Sequence, residues 1–186
     1  MTAARRRDER GAVLVELALI VPILIVLIMG IIDFGVMYSE QISFRGGVRE
    51  ASWNGSRAIL GSADGCDLTF AGPAPAAATQ RLMCMAKDRA ELAEADLRVK
   101  VRLVDLANPA VAGTGAVGQG VMVCAMRPAR STTRFFGPLL DHRVQRARLT
   151  NVIIAADPGA PLADGEEQPL AGQNWSWCDP TVAPPD

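Results

Sequence analysis

The stretch DERGAVLVELALIVPILIVLIMGIIDFG, from Asp8 to Gly35, decides how this chain is organised. Its uninterrupted apolar part, Ala12 to Ile32, is 21 residues long and contains one charged residue, Glu16. As a helix it would rise about 31 Å, which matches the hydrocarbon thickness of a bilayer. Core helices of soluble proteins are rarely apolar on every face, so the stretch predicts a membrane-spanning helix.

The charges on either side of the apolar run predict its orientation. Asp33 and Glu40 are the first charges after the run, and the arginines that precede it are Arg5, Arg6, Arg7 and Arg10. Basic flanks are retained in the cytoplasm. We therefore expect an N-terminus in the cytoplasm, a single pass through the cytoplasmic membrane and a C-terminal domain outside. The run is longer than the apolar core of a secretory signal and no A-x-A site follows it, so it should stay attached.

Glu16 has two interpretations. A carboxylate at the centre of a bilayer costs about 2.5–3.5 kcal/mol on insertion scales, and less near the interface. Glu16 is therefore either a charge tolerated close to the boundary or a charge with a positive partner. Cleavage after Gly11 would create such a partner, because Ala12 would then carry an α-ammonium four residues before Glu16, within one helical turn or facing it from a neighbouring helix.

The same residues carry a family resemblance. A basic leader, a glycine and an apolar run with Glu five places after the glycine are typical of the class III leader sequences of type IV pilin-like proteins. Together with VREASWNGSRA (Val48–Ala58), the run resembles the TadE/TadG-like proteins of the tight-adherence (Tad/Flp) pilus system. The positions that match their pattern are Gly11, Val15, Glu16, Ala18, Pro22, Gly30, Asp33 and Gly35.

The resemblance implies assembly rather than catalysis. A membrane-embedded prepilin peptidase would cut between Gly11 and Ala12, and Glu16 would supply the pairing charge between packed helices. Major Flp pilins are much shorter and have an aromatic residue where this chain has Leu17, so we expect a minor pilin or pseudopilin that acts in pilus assembly and surface adhesion. Its expected partners are the membrane, other pilin subunits, the peptidase and the Tad platform proteins. Some family members remain uncleaved, and the alternative is an unprocessed single-pass anchor for an exterior domain with a structural or binding role.

The predicted fold class is α+β, with a long N-terminal helix followed by a small exterior domain that contains a helix and an antiparallel sheet. The predicted organisation is a leader 1–11, a transmembrane helix 12–35, a stalk continuation 36–60, an exterior domain 61–156 and a Pro/Gly-rich tail 157–186. Within the span, Pro22 frees one backbone carbonyl and is expected to kink the helix. The stalk is either continuous with the span or a separate amphipathic helix with a bend at Gly46-Gly47, and its apolar stripe is Met37, Phe44, Val48, Ala51, Gly55 and Ala58.

Three strands and one helix are predicted for the exterior domain. LRVKVRLV (97–104) alternates apolar and basic residues, which favours a strand with one face on the core and a solvated basic face. VMVCAM (121–126) should pair with it, and RARLTNVIIA (146–155) is a third strand candidate that is ambiguous with helix. Thr79 is the predicted cap of a helix over 80–95. A packed loop over 132–145 should be anchored by Phe135, Phe136, Leu139 and Leu140.

The four cysteines all follow the predicted span, in a compartment where disulfides persist. We favour the pairs Cys66–Cys84 and Cys124–Cys178, with free buried cysteines as the alternative. No C-x-x-C pair is present, so neither a zinc site nor any other cofactor is expected. The single histidine, His142, has no motif around it that would support catalysis, and a net charge of −1 gives no indication of a nucleic-acid partner.

Overall fold

The computed structural model describes residues 5–61, 66–90, 97–140 and 143–183, with side chains from residue 11 onward. Its elements confirm the α+β prediction. In chain order they are α1 (Arg5–Ser56), α2 (Ala77–Arg89), β1 (Arg98–Val104), β2 (Gly120–Pro128), α3 (Gly137–Leu140), β3 (Val144–Val152) and β4 (Gly165–Glu166).

Helix α1 is one continuous element of 52 residues. The predicted span and the predicted stalk are therefore a single helix, and the alternative of two separate helices is wrong. Phe44, Val48 and Ala51 of the predicted stripe are buried in the core of the domain, as helical spacing requires. The helix ends at Ser56, so Ala58, at a left-handed φ of 56°, lies beyond the end of the stripe.

The sheet has four strands in the order β3-β2-β1-β4, and each neighbouring pair is antiparallel. β1 and β2 form the expected long-looped hairpin, with Val101 opposite Val123. β3 confirms the strand interpretation of the third candidate, two residues earlier at its start than the sequence suggests. β4 comes from the segment that the sequence assigned to the tail.

One face of the sheet packs under α1 and α2 and forms the main core. The helices contribute Phe44, Val48 and Ala51 from α1, and Leu82, Met83 and Ala86 from α2. The sheet contributes the inward residues of its two central strands, which are Val99, Val101, Leu103, Val121, Val123 and Ala125. The strict alternation in β1 is thus the signature of this face.

The opposite face of the sheet is covered by the C-terminal segment, 162–183. Trp175, Trp177 and Cys178 pack there against Met122 and Met126 of β2. The sequence predicted a solvated basic face and a tail that touches the domain at one point, and the structure corrects both expectations. Aromatic and acidic side chains in the segment match the apolar and basic residues of this face.

Each cation of β1 on this covered face has an acidic partner in the C-terminal segment. Arg98 lies 3.7 Å from Glu167, Lys100 pairs with Glu166, and Arg102 pairs with Asp179 at 2.8 Å. On β3, Arg148 donates hydrogen bonds to the backbone carbonyls of Trp177, Asp179 and Val182. The basic side chains of this face therefore have their partners within the chain.

The predicted cap of the exterior helix is wrong. α2 begins at Ala77, and no side chain caps it at Ala76. Thr79 lies inside the helix, where its hydroxyl donates to the carbonyl of Ala163 at 2.8 Å and accepts from the amide of Ala163 at 2.9 Å. Thr79 therefore holds the C-terminal segment against α2. The helix ends at Arg89, and residues 91–95 of the predicted helix lie outside the described residues.

The loop between β2 and β3 is anchored by fewer residues than the sequence suggests. Leu140 is buried and Phe136 is half-buried, whereas Phe135 and Leu139 are exposed. The prediction that all four side chains anchor the loop is wrong for the two exposed ones. His142, the lone histidine, lies outside the described residues.

Two disulfides join the pairs that the sequence favoured. Cys66–Cys84 ties the segment before α2 to that helix, with a Cα–Cα distance of 5.7 Å. Cys124–Cys178 ties β2 to the C-terminal segment, with a Cα–Cα distance of 6.0 Å. The second bridge fixes the segment over the covered face of the sheet.

Candidate functional site at the junction of helix and domain

The N-terminal half of α1 projects from the domain. All residues from Gly11 to Ile28 are exposed, and the large apolar side chains from Val13 to Ile32 that are exposed range from 38% to 73% in accessible fraction. This half is long and apolar enough to cross a membrane. It indicates a single-pass membrane anchor, because the exposure of an apolar surface of this extent to water is unfavourable.

The residues predicted to act in processing and assembly all lie on this exposed half. Gly11 and Ala12 are inside the helix, which begins at Arg5. Ala12 and Glu16 are four residues apart, so they project from the same face. Among the described side chains, Glu16 makes no ion pair. Pro22 lies within the helix, which continues on both sides of it.

Asp33 is the first charged residue after the apolar run, and it is only 1% exposed. Its carboxylate accepts hydrogen bonds from the hydroxyl of Ser131 at 2.6 Å, the amide of Thr133 at 2.7 Å and the hydroxyl of Thr133 at 2.7 Å. Three donors offset the cost of burying a charge. Asp33 therefore fastens the loop after β2 to α1, directly where the apolar run ends.

Two further contacts reinforce this attachment. The ring of Phe136 packs on Phe34, with centroids 5.7 Å apart, and lies against Gly30, where an added Cβ would be 3.5 Å from the ring. About two turns beyond Asp33, Glu40 forms an ion pair with Arg127 at the end of β2. We call this set of contacts, between residues 30–40 of α1 and residues 127–136, the junction.

Little in the sequence indicated the contacts of the junction. It marked Asp33 as a flanking charge and as part of the family pattern, without a partner. The Ser-Thr-Thr run at 131–133 was the available signal, since hydroxyl and amide donors are what a buried carboxylate needs. The two sides are 98 and 100 residues apart, so no local pattern connects them.

A buried ion pair lies where α2, β1 and the C-terminal segment meet. Lys87 and Glu167 are both fully buried, with their charged atoms 2.8 Å apart. Lys87 also donates to the carbonyl of Asp67 at 2.6 Å, and Glu167 accepts from the amide of Val99 at 2.7 Å. The pair joins α2, β1 and the C-terminal segment, and its role is structural because these groups are occupied with one another.

The arrangement of the described residues offers little for catalysis. They contain no group of three or more side chains suited to hold a metal ion. An open groove of about 650 Å³ runs between α1 and β3, and its described lining is Gly46, Arg49, Glu50, Trp53, Leu149 and Asn151. That lining includes no nucleophile beside a general base.

Residues 11–53 match the family model of TadE-like proteins. The N-terminal segment is TadE-like. The match confirms the resemblance seen in the sequence and covers 43 of the 186 residues, including the exposed half of α1 and the α1 side of the junction. No curated protein and no solved structure is significantly similar to the chain.

The match supports an association with the Tad pilus and with a membrane. TadE-like proteins are a pilus-associated family and not a family of enzymes. The junction therefore links a TadE-like segment to a folded domain that the family model does not cover. Asp33 and Glu40 belong to the first, and Ser131, Thr133 and Arg127 belong to the second.

Proposed function

We propose that this protein is a minor pilin or pseudopilin of a Tad/Flp pilus system. Its TadE-like helix inserts with the N-terminus in the cytoplasm and the disulfide-bonded domain outside the cytoplasmic membrane. The observation that carries the proposal is the bare apolar half of α1, which is continuous with a half that is packed into a folded domain. Such a chain can present its helix to like helices while its domain stays intact.

The carboxylate of Glu16, which has no ion-pair partner among the described side chains, supports assembly through this helix. A carboxylate within an apolar surface is costly in lipid unless it meets a partner. Removal of the leader after Gly11 would give Ala12 an ammonium group one turn away, or facing Glu16 from a neighbouring subunit. An ammonium and a carboxylate attract strongly where water is scarce, so the pair would set the stagger between adjacent helices.

The exterior domain is suited to a role outside the cell. Its two disulfides are typical of an oxidising compartment. In our proposal the domain contributes to pilus assembly and surface adhesion, and the helix contacts other pilin subunits, the prepilin peptidase and the Tad platform proteins. Pro22 provides a local weakness in the helix that such packing can use.

Processing is tested by sequencing the mature N-terminus of the protein purified from its native host. We expect Ala12 as the first residue. A mature protein that begins at Met1 or Thr2 would show an unprocessed anchor and would remove the ammonium partner of Glu16.

Assembly is tested by Glu16→Gln, which removes the charge and keeps the size of the side chain. We expect co-purification with other pilin subunits and the number of surface filaments to fall. The matched control is Glu50→Gln, an exposed glutamate on the packed half of the same helix. Filaments and complexes that are unchanged in Glu16→Gln would contradict the assembly role.

A further inference from the structure

Two large apolar side chains outside the span are exposed beside it. Phe135 is 53% exposed and Leu139 is 68% exposed, and both lie in the segment Arg134–Leu140 after β2. Between them, Phe136 turns inward onto α1. Phe136 contacts both Phe135 and the exposed Phe34 of α1, so the exposed apolar surface of the helix extends onto this segment, and contiguous apolar patches mark interaction sites.

The junction fixes the level of this segment relative to the span. Phe136 lies against Gly30, which is two residues before the end of the apolar run at Ile32. Two residues of helix correspond to about 3 Å along the helix axis. The ring of Phe136 therefore lies at the depth where the last apolar turn of α1 meets the lipid surface, and Phe135 contacts that ring with centroids 5.0 Å apart.

The segment is held at this level by bonds that resist its withdrawal. Asp33 accepts three hydrogen bonds from Ser131 and Thr133, immediately before Arg134. Arg134 itself has a left-handed φ of 61°, which is uncommon for a residue other than glycine and redirects the chain into the turn that contains Phe135. The turn cannot move away from the span unless these contacts break.

We infer that the segment Arg134–Leu140 is a second membrane contact, in which Phe135 and Leu139 enter the interface of the bilayer leaflet on the exterior side. Its partner is lipid because the exposed apolar surface of the segment is continuous with the surface that α1 presents to the membrane. Arg134 is exposed beside Phe135, where its cation would lie among the lipid headgroups. The domain would then rest on the membrane through this segment.

The inference depends on α1 spanning a membrane and not on a role in a pilus. It would hold for an unprocessed anchor equally well. A failure of leader cleavage or of the Glu16→Gln test would leave it standing, and its own failure would leave the pilus proposal unchanged.

The test places tryptophan at the two exposed positions of the full-length protein in lipid nanodiscs. Phe135→Trp and Leu139→Trp are compared in ordinary lipid and in lipid brominated near the glycerol end of its chains, because bromine quenches only indoles that it contacts. The native Trp53, Trp175 and Trp177 give the same background in every variant. We expect the added fluorescence to be quenched about twofold in the brominated discs.

Val117→Trp is the matched control, because Val117 is equally exposed and apolar but lies at the far end of the domain. The amide of Gly118 donates to Ile153, and the amide of Ile154 donates to Ser56 at the end of α1. Ser56 is 26 residues from Gly30, about 39 Å along the helix. The indole added in Val117→Trp should therefore not be quenched.

Two outcomes would overturn the inference. The first is quenching at positions 135 and 139 no greater than at position 117. The second is that both indoles are buried but not quenched, and only in discs that hold two or more chains. Such a result would show that another copy of the protein covers the segment. A midpoint of denaturant unfolding equal to that of the wild type establishes that each variant is folded.

Discussion

The two halves of α1 are chemically different although they form one helix. From Ala12 to Ile28 the helix is apolar apart from Glu16 and every residue is exposed, whereas from Asp33 to Ser56 the domain buries an apolar stripe of the helix. The first half relies on its surroundings for stability, and the second relies on the domain. Asp33 marks the change, because it directly follows the apolar run and its carboxylate is hydrogen-bonded to Ser131 and Thr133 of the domain.

The difference teaches that hydrophobicity and helical periodicity carry separate information. An apolar surface without periodicity identifies the half that needs lipid or other helices, and a periodic stripe identifies the half that needs a fold. If the halves are as separate as this comparison states, changes in the domain should unfold it without affecting the helix in the membrane. The buried Trp175 and Trp177 report unfolding of the domain by fluorescence.

Lys87→Met should have the largest effect on the domain. It leaves the buried carboxylate of Glu167 without its main partner, and losing one member of a buried pair typically costs about 3–5 kcal/mol. We expect the free energy of unfolding, measured by denaturant titration in detergent, to fall by about 4 kcal/mol while the span stays helical. Arg81→Met, an exposed position on the same helix, is the control. If the free energy of unfolding fell as little in Lys87→Met as in Arg81→Met, the Lys87–Glu167 pair would not be important for the stability of the domain.

Phe44→Ala compares the halves of α1 directly. Phe44 is fully buried, and its truncation leaves a cavity that should lower the free energy of unfolding of the domain by about 3 kcal/mol. Leu27→Ala, in the exposed half, should change that free energy by less than about 0.5 kcal/mol. Similar losses for the two variants in the same titration would break the comparison.

The neighbouring glycines Gly46 and Gly47 of α1 compare a packed position with an open one. A Cβ at Gly47 would lie 2.7 Å from the backbone nitrogen of Ala90, so Gly47→Ala must push α2 away and should cost about 2 kcal/mol. Gly46 has no atom within 4 Å of such a Cβ, and Gly46→Ala should stabilise the helix by about 0.5–1 kcal/mol. In thermal unfolding, Gly47→Ala should lower the midpoint temperature and Gly46→Ala should raise it. Changes of the same sign would contradict the assignment of Gly47 to the packed face and Gly46 to the open face.

Asp33→Asn tests the border between the halves. The amide keeps the size of the side chain but loses the charge-assisted hydrogen bonds from Ser131 and Thr133, which should cost about 1–2 kcal/mol. Hydrogen exchange at the amide of Thr133 should accelerate in the variant. Unchanged exchange there, with Glu50→Gln as the reference, would mean that the loop is held by its other contacts.

The smallest effect concerns the C-terminal segment in acid. Hydrogen bonds from the hydroxyl and then the amide of Thr181, followed by Arg102, hold the pKa of Asp179 well below its usual range. A lowered pKa in the folded state stabilises the protein above the ordinary pKa of about 3.9, and this contribution is lost as the pH falls towards the folded value. Its size should be below about 1 kcal/mol, because the side chain is 35% exposed.

Denaturant midpoints measured above and below a pH of about 4 test this contribution. Asp179→Asn should flatten the acid side of the profile, and Asp157→Asn, at another exposed turn, should leave it as in the wild type. A steeper loss in acid for Asp179→Asn would reverse the sign of the argument.

The features that the sequence predicts well are those with a local pattern. Alternation identified β1 to within one residue, and the uninterrupted apolar run identified the exposed half of α1. The two disulfides follow the pairing that the order of elements favoured. For β1 and for the exposed half of α1, a short stretch of residues carries the whole signal.

The features that the sequence missed depend on partners far along the chain. Lys87 and Glu167 are 80 residues apart, and nothing in the Pro/Gly-rich segment around Glu167 marks it as a core residue. The covering of the basic face by Trp175 and Trp177 has the same cause, since a strand with cations on one face looks the same whether water or another segment lies above it. The junction was missed for this reason too.

The direct attachment at Asp33 has a mechanical consequence, because no linker separates the span from the domain. From Asp33 to Ser56 the helix continues for about 36 Å, so a ten-degree change in its tilt within the bilayer would swing the far end of the domain by about 6 Å. The helix thus transmits a tilt of the span directly to the domain, with the lipid surface as the pivot. Any neighbour that fixes the angle of the span therefore also fixes where the exterior surface of the domain points.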